Sequence, residues 1–168
     1  MIWRMESLVY IDDHFILGKE ARVSALDLSV LRGFGVMDYF RTYGGKPFRL
    51  QDHLERFIFS AEEIGLKVPK NIEEMKEIIE KLLHKASFAE TSVKVVLTGG
   101  ASEDQLMPEG NSIFFAVAYP FKPFPEVYFE RGVKVITECY ERPFPKAKST
   151  QYLPAIVALN KGIKKGAV

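Results

Sequence analysis

Apolar residues along this chain follow two rhythms, and the change from one to the other divides the sequence into elements. "SLVYIDDHFILG" sets two short apolar runs around Asp12 and Asp13, the pattern of a β-hairpin. "VMDYFRTYGGKPFRL" repeats the scheme with Gly44 and Gly45 at the turn. The period then lengthens: Leu54, Phe57, Ile58, Ala61 and Ile64 recur at helical spacing until Gly65 ends the run. Asp52 stands three residues before Glu55, the spacing of a capping box, and marks the expected start of that helix. A second helix is expected after Pro69 with Asn71 as its cap. Its stripe is Ile72, Met75, Ile78, Ile79, Leu82, Leu83 and Ala86.

Two strands are expected next, in "TSVKVVLTGG" and "NSIFFAVAY", joined by a polar loop that contains Met107 and Pro108. "PFKPFPEV", residues 120–127, holds three prolines and resists both strand and helix, so a domain boundary is expected there. The expected division is a small domain over residues 1–119, a connector over 120–130 and the beginning of a large domain over 131–168. In that last part "GVKVITECY" has the pattern of a strand, and "PAIVALNKGIKKG" that of a helix with Pro154 in its first turn. One strand, one loop and one helix make a single α/β unit with nothing beside it, so the large domain is expected to be truncated. The expected fold class is therefore an α+β small domain, an antiparallel sheet with two helices, followed by the start of a second α/β domain.

Composition narrows the function classes. With 168 residues, 47% apolar and 27% charged, the chain is ordinary globular protein. Its 23 basic and 22 acidic residues give a net charge of +1, which argues against nucleic acid as a partner. No apolar run is long enough to span a bilayer, and Arg4, Glu6 and Asp12 interrupt any signal-peptide core. The single cysteine, Cys139, cannot form an internal disulfide; a reducing compartment, the cytoplasm, is expected, with Cys139 as a small core residue.

Candidate chemistry lies in two places. "ERPFPKAKSTQYL" carries Lys146 and Lys148 in a Pro-rich loop, with Tyr152 four residues after the second lysine. A lysine becomes a nucleophile only when its amine loses its proton, through desolvation or a neighbouring positive charge. Spacing alone leaves Lys148 open as a reactive amine or a solvated loop charge. In "DHLERFIFSAEEIG", Arg56 lies opposite the apolar stripe, yet Phe59 shares its side. A large aromatic there suggests that a second domain or subunit covers this face. Arg56 is then suited to phosphate or carboxylate, or to an interdomain salt bridge.

Both segments carry a resemblance. "GFGVMDYFRTYGGKPFRLQDHLERFIFSAEEIGLKVP", followed by "GVKVITECYERPFPKAKSTQYL", resembles the fold-type IV pyridoxal-phosphate enzymes. These are the branched-chain and D-amino acid aminotransferases and aminodeoxychorismate lyase. The resemblance runs from about residue 7 to the end. It rests on a Gly-x-Gly-Val-x-acidic stretch, a His-x-x-Arg helix ending in Ser-Ala, and a Lys-Ser-x-x-Tyr-Leu segment. It implies a D-amino acid aminotransferase-like fold, whose large domain is barrel-like, and pyridoxal 5'-phosphate as cofactor. Lys148 would bind the cofactor covalently, Arg56 would hold its phosphate and Tyr152 its phenolate oxygen. No metal is implied.

Departures from the family pattern bear on the substrate. Asp38 stands where Glu is usual, Met37 where an aromatic is common, and Gln151 where Asn is usual. Met37 is read as substrate-pocket wall or as core. Gly99 in "LTGG" stands where the D-amino acid enzymes and the lyase carry Arg, and Lys94 lies near the arginine of the branched-chain enzymes. Both are assigned to the substrate pocket. Gly33 and Gly35 read as backbone turns beside the site rather than a phosphate cradle. The leading expectation is an aminotransferase for branched-chain or similar apolar amino acids with 2-oxoglutarate, a homodimer whose partners are amino acids and 2-oxo acids. A lyase of the same fold and a non-catalytic dimerising fragment are the alternatives. The truncated chain alone is expected to be inactive.

Overall fold

The computed structural model describes residues 7–167. Residues 1–6, the start of the expected small domain and of the signal-peptide argument, and Val168 lie outside the described residues. The first hairpin is β1, Leu8–Ile11, and β2, His14–Leu17. Asp12 and Asp13 turn between them in the left-handed region, at φ 49° and 60°, which short polar side chains tolerate. A five-residue helix, α1, Leu28–Arg32, follows; Asp27 caps it by accepting from the Ser29 amide. The second hairpin is β3, Gly35–Tyr43, and β4, Lys46–Pro47, with Gly44 and Gly45 at positive φ in the turn. Helices α2, Leu50–Glu63, and α3, Ile72–Ala86, come next, then strands β5, Thr91–Thr98, and β6, Phe114–Pro120.

The six strands form one sheet in the order β2-β1-β6-β5-β3-β4, and every neighbouring pair is antiparallel. Period-2 alternation sends Val36 and Phe40 of β3, Val93, Val95 and Leu97 of β5, and Ala116 and Ala118 of β6 to one face. Both long helices cover that face with Leu54, Phe57 and Ala61 from α2 and Met75, Ile79 and Leu82 from α3, all fully buried. The small-domain architecture is therefore the expected antiparallel sheet with two helices. Asn71 caps α3 with a complete capping box, its side chain accepting from the Glu74 amide while Glu74 accepts from the Asn71 amide.

Three expectations need correction. The capping box read at Asp52 and Glu55 does not exist: α2 begins at Leu50, its cap is Arg49 in the left-handed region, and Asp52 in the first turn pairs with Arg49. An acidic side chain in the first turn complements the helix dipole equally well, so the same residue types serve a different geometry. "GVKVITECY" is not a strand; residues 132–142 carry no regular element, because an alternating pattern becomes a strand only beside a partner and none lies along it among the described residues. Cys139 lies in that stretch and is exposed rather than core. The connector also contains a short helix, α4, Val127–Arg131, directly after its last proline. The chain then ends in α5, Leu153–Lys164, with Pro in its first turn as expected; Leu153, Ile156, Leu159 and Ile163 of α5 are exposed. No helix is long and apolar enough to cross a membrane among the described residues.

The turn of the first hairpin is tied to the entry of α3. Asp13 accepts from the Tyr10 hydroxyl at 2.6 Å and from Lys70 Nζ at 2.9 Å. The hydrogen bond from Tyr10, then that from Lys70, holds the Asp13 carboxyl below its ordinary range. The Lys70 amine is held above its own, chiefly by the bond to Asp13. A carboxyl depressed in the folded state stabilises above its unfolded pKa, and that contribution disappears as pH falls through the folded one. Asp13→Asn, which suits the same left-handed turn, is therefore expected to lower the melting temperature at neutral pH. The gap to the parent protein should close progressively below pH about 4, and again at alkaline pH as Lys70 deprotonates. Melting curves across pH check this, and a gap that does not change with pH would contradict it.

Candidate active site

β3 has two edges, and the site is built on the one that β5 leaves free. β5 pairs with Gly35 through Arg41 along one edge, while β4 uses only Thr42 and Tyr43 of the other. The first half of the free edge is taken by the loop that carries Lys148. Met37 N–H donates to the Lys148 carbonyl at 2.9 Å, Thr150 N–H donates to the Gly35 carbonyl at 2.9 Å, and Val36 and Ser149 form an antiparallel bridge. Thr150 Oγ1 also donates to the Gly33 carbonyl at 3.0 Å. A Cβ at Gly35 would come within 2.8 Å of the Leu97 carbonyl and 3.3 Å of Thr150 Oγ1, so glycine lets the three segments meet. Gly33, at φ 68°, closes α1 in the left-handed conformation. Of the two glycines expected in turns, Gly33 is in one, while Gly35 is the first residue of β3.

The two candidate lysines separate here. Lys146 is exposed, whereas Lys148 is half-buried and its Nζ donates to the Tyr152 hydroxyl at 3.3 Å. Tyr152 is the residue just before α5, which places its ring one turn beyond Lys148. The Arg142 guanidinium lies 6.0 Å from the centre of that ring, and Arg142 also donates to the Ala147 carbonyl at 3.2 Å.

Arg56 lies on the outer side of α2 with its side chain 50% exposed, and its partner is Asp38 of β3, which is fully buried. Nε donates to Oδ2 at 2.7 Å and Nη2 to Oδ1 at 2.8 Å, the bidentate fork that guanidinium and carboxylate form best. Asp38 Oδ1 also accepts from the Tyr39 amide at 2.6 Å and lies 2.9 Å from His53 Nδ1. The same His53 nitrogen lies 3.2 Å from Arg56 Nη2, so Asp38, His53 and Arg56 form one cluster. The bonds to Asp38 raise the Arg56 guanidinium above its ordinary value despite burial, and the nearby Tyr152 oxygen adds to the effect. Arg56 and Tyr152 thus lie within electrostatic reach of each other. With Nε and one side of Nη2 committed to Asp38, the fork keeps its Nη1 end for another anion. The pair of Arg56 and Asp38 lies inside the sheet-and-helix layer.

The remaining candidates lie on or near the sheet face away from the helices. Met37 is half-buried there and faces Val96 across the ladder. Lys94 is also half-buried and is flanked by Tyr39 and Val117. Near it the Tyr39 hydroxyl lies 3.1 Å from Ser92 Oγ, and burial raises the Tyr119 phenol above its usual value. Gly99 is buried, and a Cβ there would stand 2.7 Å from the Phe34 carbonyl, so the tight packing of β5 against the segment before β3 requires glycine. No group of three or more His, Cys, Asp or Glu that could hold a metal occurs among the described residues.

The family described as Amino-transferase class IV matches this chain over residues 35–168. This chain belongs to that family. The D-alanine aminotransferase of Staphylococcus epidermidis is 31% identical to this class IV chain over 144 residues, which is 86% of the chain and 45% of the relative. The branched-chain aminotransferase of Thermoproteus uzoniensis, solved with norvaline, superposes with a TM-score of 0.83 at 28% identity. The match covers 95% of this chain and 57% of that one. A fold IV-transaminase of Curtobacterium pusillum superposes with a TM-score of 0.78 over 96% of this chain and 62% of that one. At 21% identity that likeness is of fold. The class IV chain thus spans about half the length of the curated relatives it matches.

Asp38 and Ser60 were not singled out as site residues from the sequence. Asp38 shares the inward face of β3 with Val36 and Phe40, an anomaly of alternation that marks a buried charge in need of a partner. That dependence can be measured. Arg56→Ala strands a fully buried carboxylate with only His53 and one amide beside it, so a loss of about 1–3 kcal/mol is expected in urea unfolding. Adding Asp38→Asn should recover part of the loss; a double variant as unstable as the sum of the two single changes would contradict the pairing.

Proposed function

We propose that this chain forms the cofactor-holding part of a pyridoxal-phosphate-dependent aminotransferase. Its substrates are an apolar, branched-chain-like amino acid and a 2-oxo acid acceptor such as 2-oxoglutarate. The observation that carries the reading is the placement of Lys148. Its backbone is bonded into the free edge of β3, its amine meets the Tyr152 hydroxyl, and Tyr152 lies within electrostatic reach of Arg56. A primary amine, a phenol and a guanidinium with one open end are the groups that a phosphorylated pyridine aldehyde with a ring oxygen requires, so the residues present fit this cofactor. When bound, pyridoxal phosphate supplies an aldehyde that captures amines and a ring that accepts electrons from the substrate Cα.

In this reading Arg56 would hold the phosphate dianion with its open Nη1 end, while Asp38 keeps the fork from rotating. Tyr152, whose hydroxyl meets the Lys148 amine, would donate to the ring oxygen. Lys148 would hold the cofactor through its amine and would serve as general base and acid for the proton at the substrate Cα. Met37, Val96 and Lys94 form the pocket wall on the sheet face, with the Lys94 cation positioned for the substrate carboxylate. The division into a small domain over residues 1–119, a connector over 120–130 and the start of a large domain from 131 belongs to the same proposal. So does a cytoplasmic homodimer. Phe59, 44% exposed beside Arg56, and the exposed apolar side of α5 support further protein packing against these faces. The D-alanine aminotransferase relatives favour a second substrate reading, a D-amino acid.

Reductive trapping tests the assignment. The protein is incubated with pyridoxal phosphate, reduced with borohydride and mapped by peptide mass. Label concentrated on Lys148, and lost in Lys148→Arg, is expected; label spread over surface lysines would overturn the reading. Turnover of L-leucine, L-valine and D-alanine with and without 2-oxoglutarate then separates the substrate readings, and turnover independent of the 2-oxo acid would point to lyase chemistry.

A further inference from the structure

We infer that Ser60 is a positioning residue for Lys148, an inference that rests on reading Lys148 as the reactive amine. Ser60 is fully buried on α2, one turn after Arg56. Its Oγ–H donates to the Arg56 carbonyl at 2.7 Å, and its Oγ accepts from the Lys148 amide N–H at 3.1 Å, a contact between residues 88 apart in the chain. The direction of this relay has no alternative. A carbonyl only accepts and an amide N–H only donates, so the single hydroxyl proton points to Arg56 and a lone pair points to Lys148. Each bond polarises the next.

The consequence is a backbone at Lys148 bonded on both sides. Its N–H is attached to α2 through Ser60, and its carbonyl to β3 through Met37 N–H. Those are the two elements that carry Arg56 and its partner Asp38. The preceding Ala147 is buried, with its carbonyl taken by Arg142. Rotamers of the four-carbon side chain are then the only freedom left to the amine. Ser60 thereby sets the span between the phosphate-binding arm and the amine. An alanine there leaves the partly buried Lys148 N–H without its acceptor and frees one end of the loop.

This predicts a split that a general loss of stability does not produce. Pyridoxine 5'-phosphate has the ring, ring oxygen and phosphate of the cofactor but no aldehyde, so it reports on Arg56 and Tyr152 without capture by the Lys148 amine. In Ser60→Ala its dissociation constant should stay within about twofold of the parent, while the rate at which Lys148 captures pyridoxal phosphate falls roughly three- to tenfold, the range of one net hydrogen bond. Deuterium exchange at the Lys148 amide should speed up in the same variant without any cofactor present. Ser60→Thr, which keeps the hydroxyl, should restore the rate. Asp13→Asn, remote from the site, serves as the control for lowered melting temperature and should leave both quantities unchanged. A capture rate in Ser60→Ala equal to the parent's, or analogue affinity and capture rate falling together in proportion to melting temperature, would overturn the role. Failure of the parent itself to capture pyridoxal phosphate at Lys148 would instead refute the functional reading beneath it.

Discussion

The free edge of β3 is the constraint on which the rest depends. A strand edge exposes alternating amides and carbonyls that must find partners, and here the first half of the edge is completed by residues 148–150 rather than by another strand. Two backbone hydrogen bonds, which together make up one antiparallel bridge, therefore decide where the only half-buried lysine of that loop stands. They require Gly35, since any side chain there meets the Leu97 carbonyl, and they bring the loop next to α2. Without this pairing Lys148 and Arg56 are two cations far apart in sequence; with it the Lys148 amide and the Arg56 carbonyl share the Ser60 hydroxyl.

Charge is handled by the same economy. Asp38 is buried on the helix-facing side of the sheet, where an unpaired carboxylate would be costly, and Arg56 and His53 together satisfy it. Arg56 consequently has two roles that compete for none of the same nitrogen protons. Its Nε and one Nη2 proton stabilise the fold, and its Nη1 end remains available to an anion. A guanidinium fixed by a buried carboxylate has lost most of its rotamer freedom before any ligand arrives, so less ordering remains to oppose binding.

Much of the fold could be read from the sequence because its signals are local. The Asp12-Asp13 and Gly44-Gly45 turns, the stripes of α2 and α3 and the box at Asn71 each lie within a few residues of the partners that make them work. What escaped reading depends on distance. Nothing near Ser149 announces that it will pair with Val36, and nothing near Ser60 announces Lys148. Asp38 was visible as a departure from the family pattern but not as the partner of Arg56, because strand alternation gives the face and not the helix residue that will lie over it. The stretch over residues 132–142 failed in the opposite sense: its pattern suits a strand, and its neighbours among the described residues offer none to join. The roles proposed for Lys148, Arg56 and Tyr152 come from the family resemblance, since spacing leaves them open.

Lys148 is held against the sheet rather than carried on a free loop. Residue-resolved amide hydrogen exchange measures this directly at Met37 and Thr150, whose N–H groups make the two decisive bonds. Both amides are predicted to exchange slowly and to open together with the β3–β5 ladder, at a protection free energy close to that of Val95 or Leu97. Exchange at Met37 and Thr150 at the rate of an unstructured peptide, while Val95 stays protected, would contradict it.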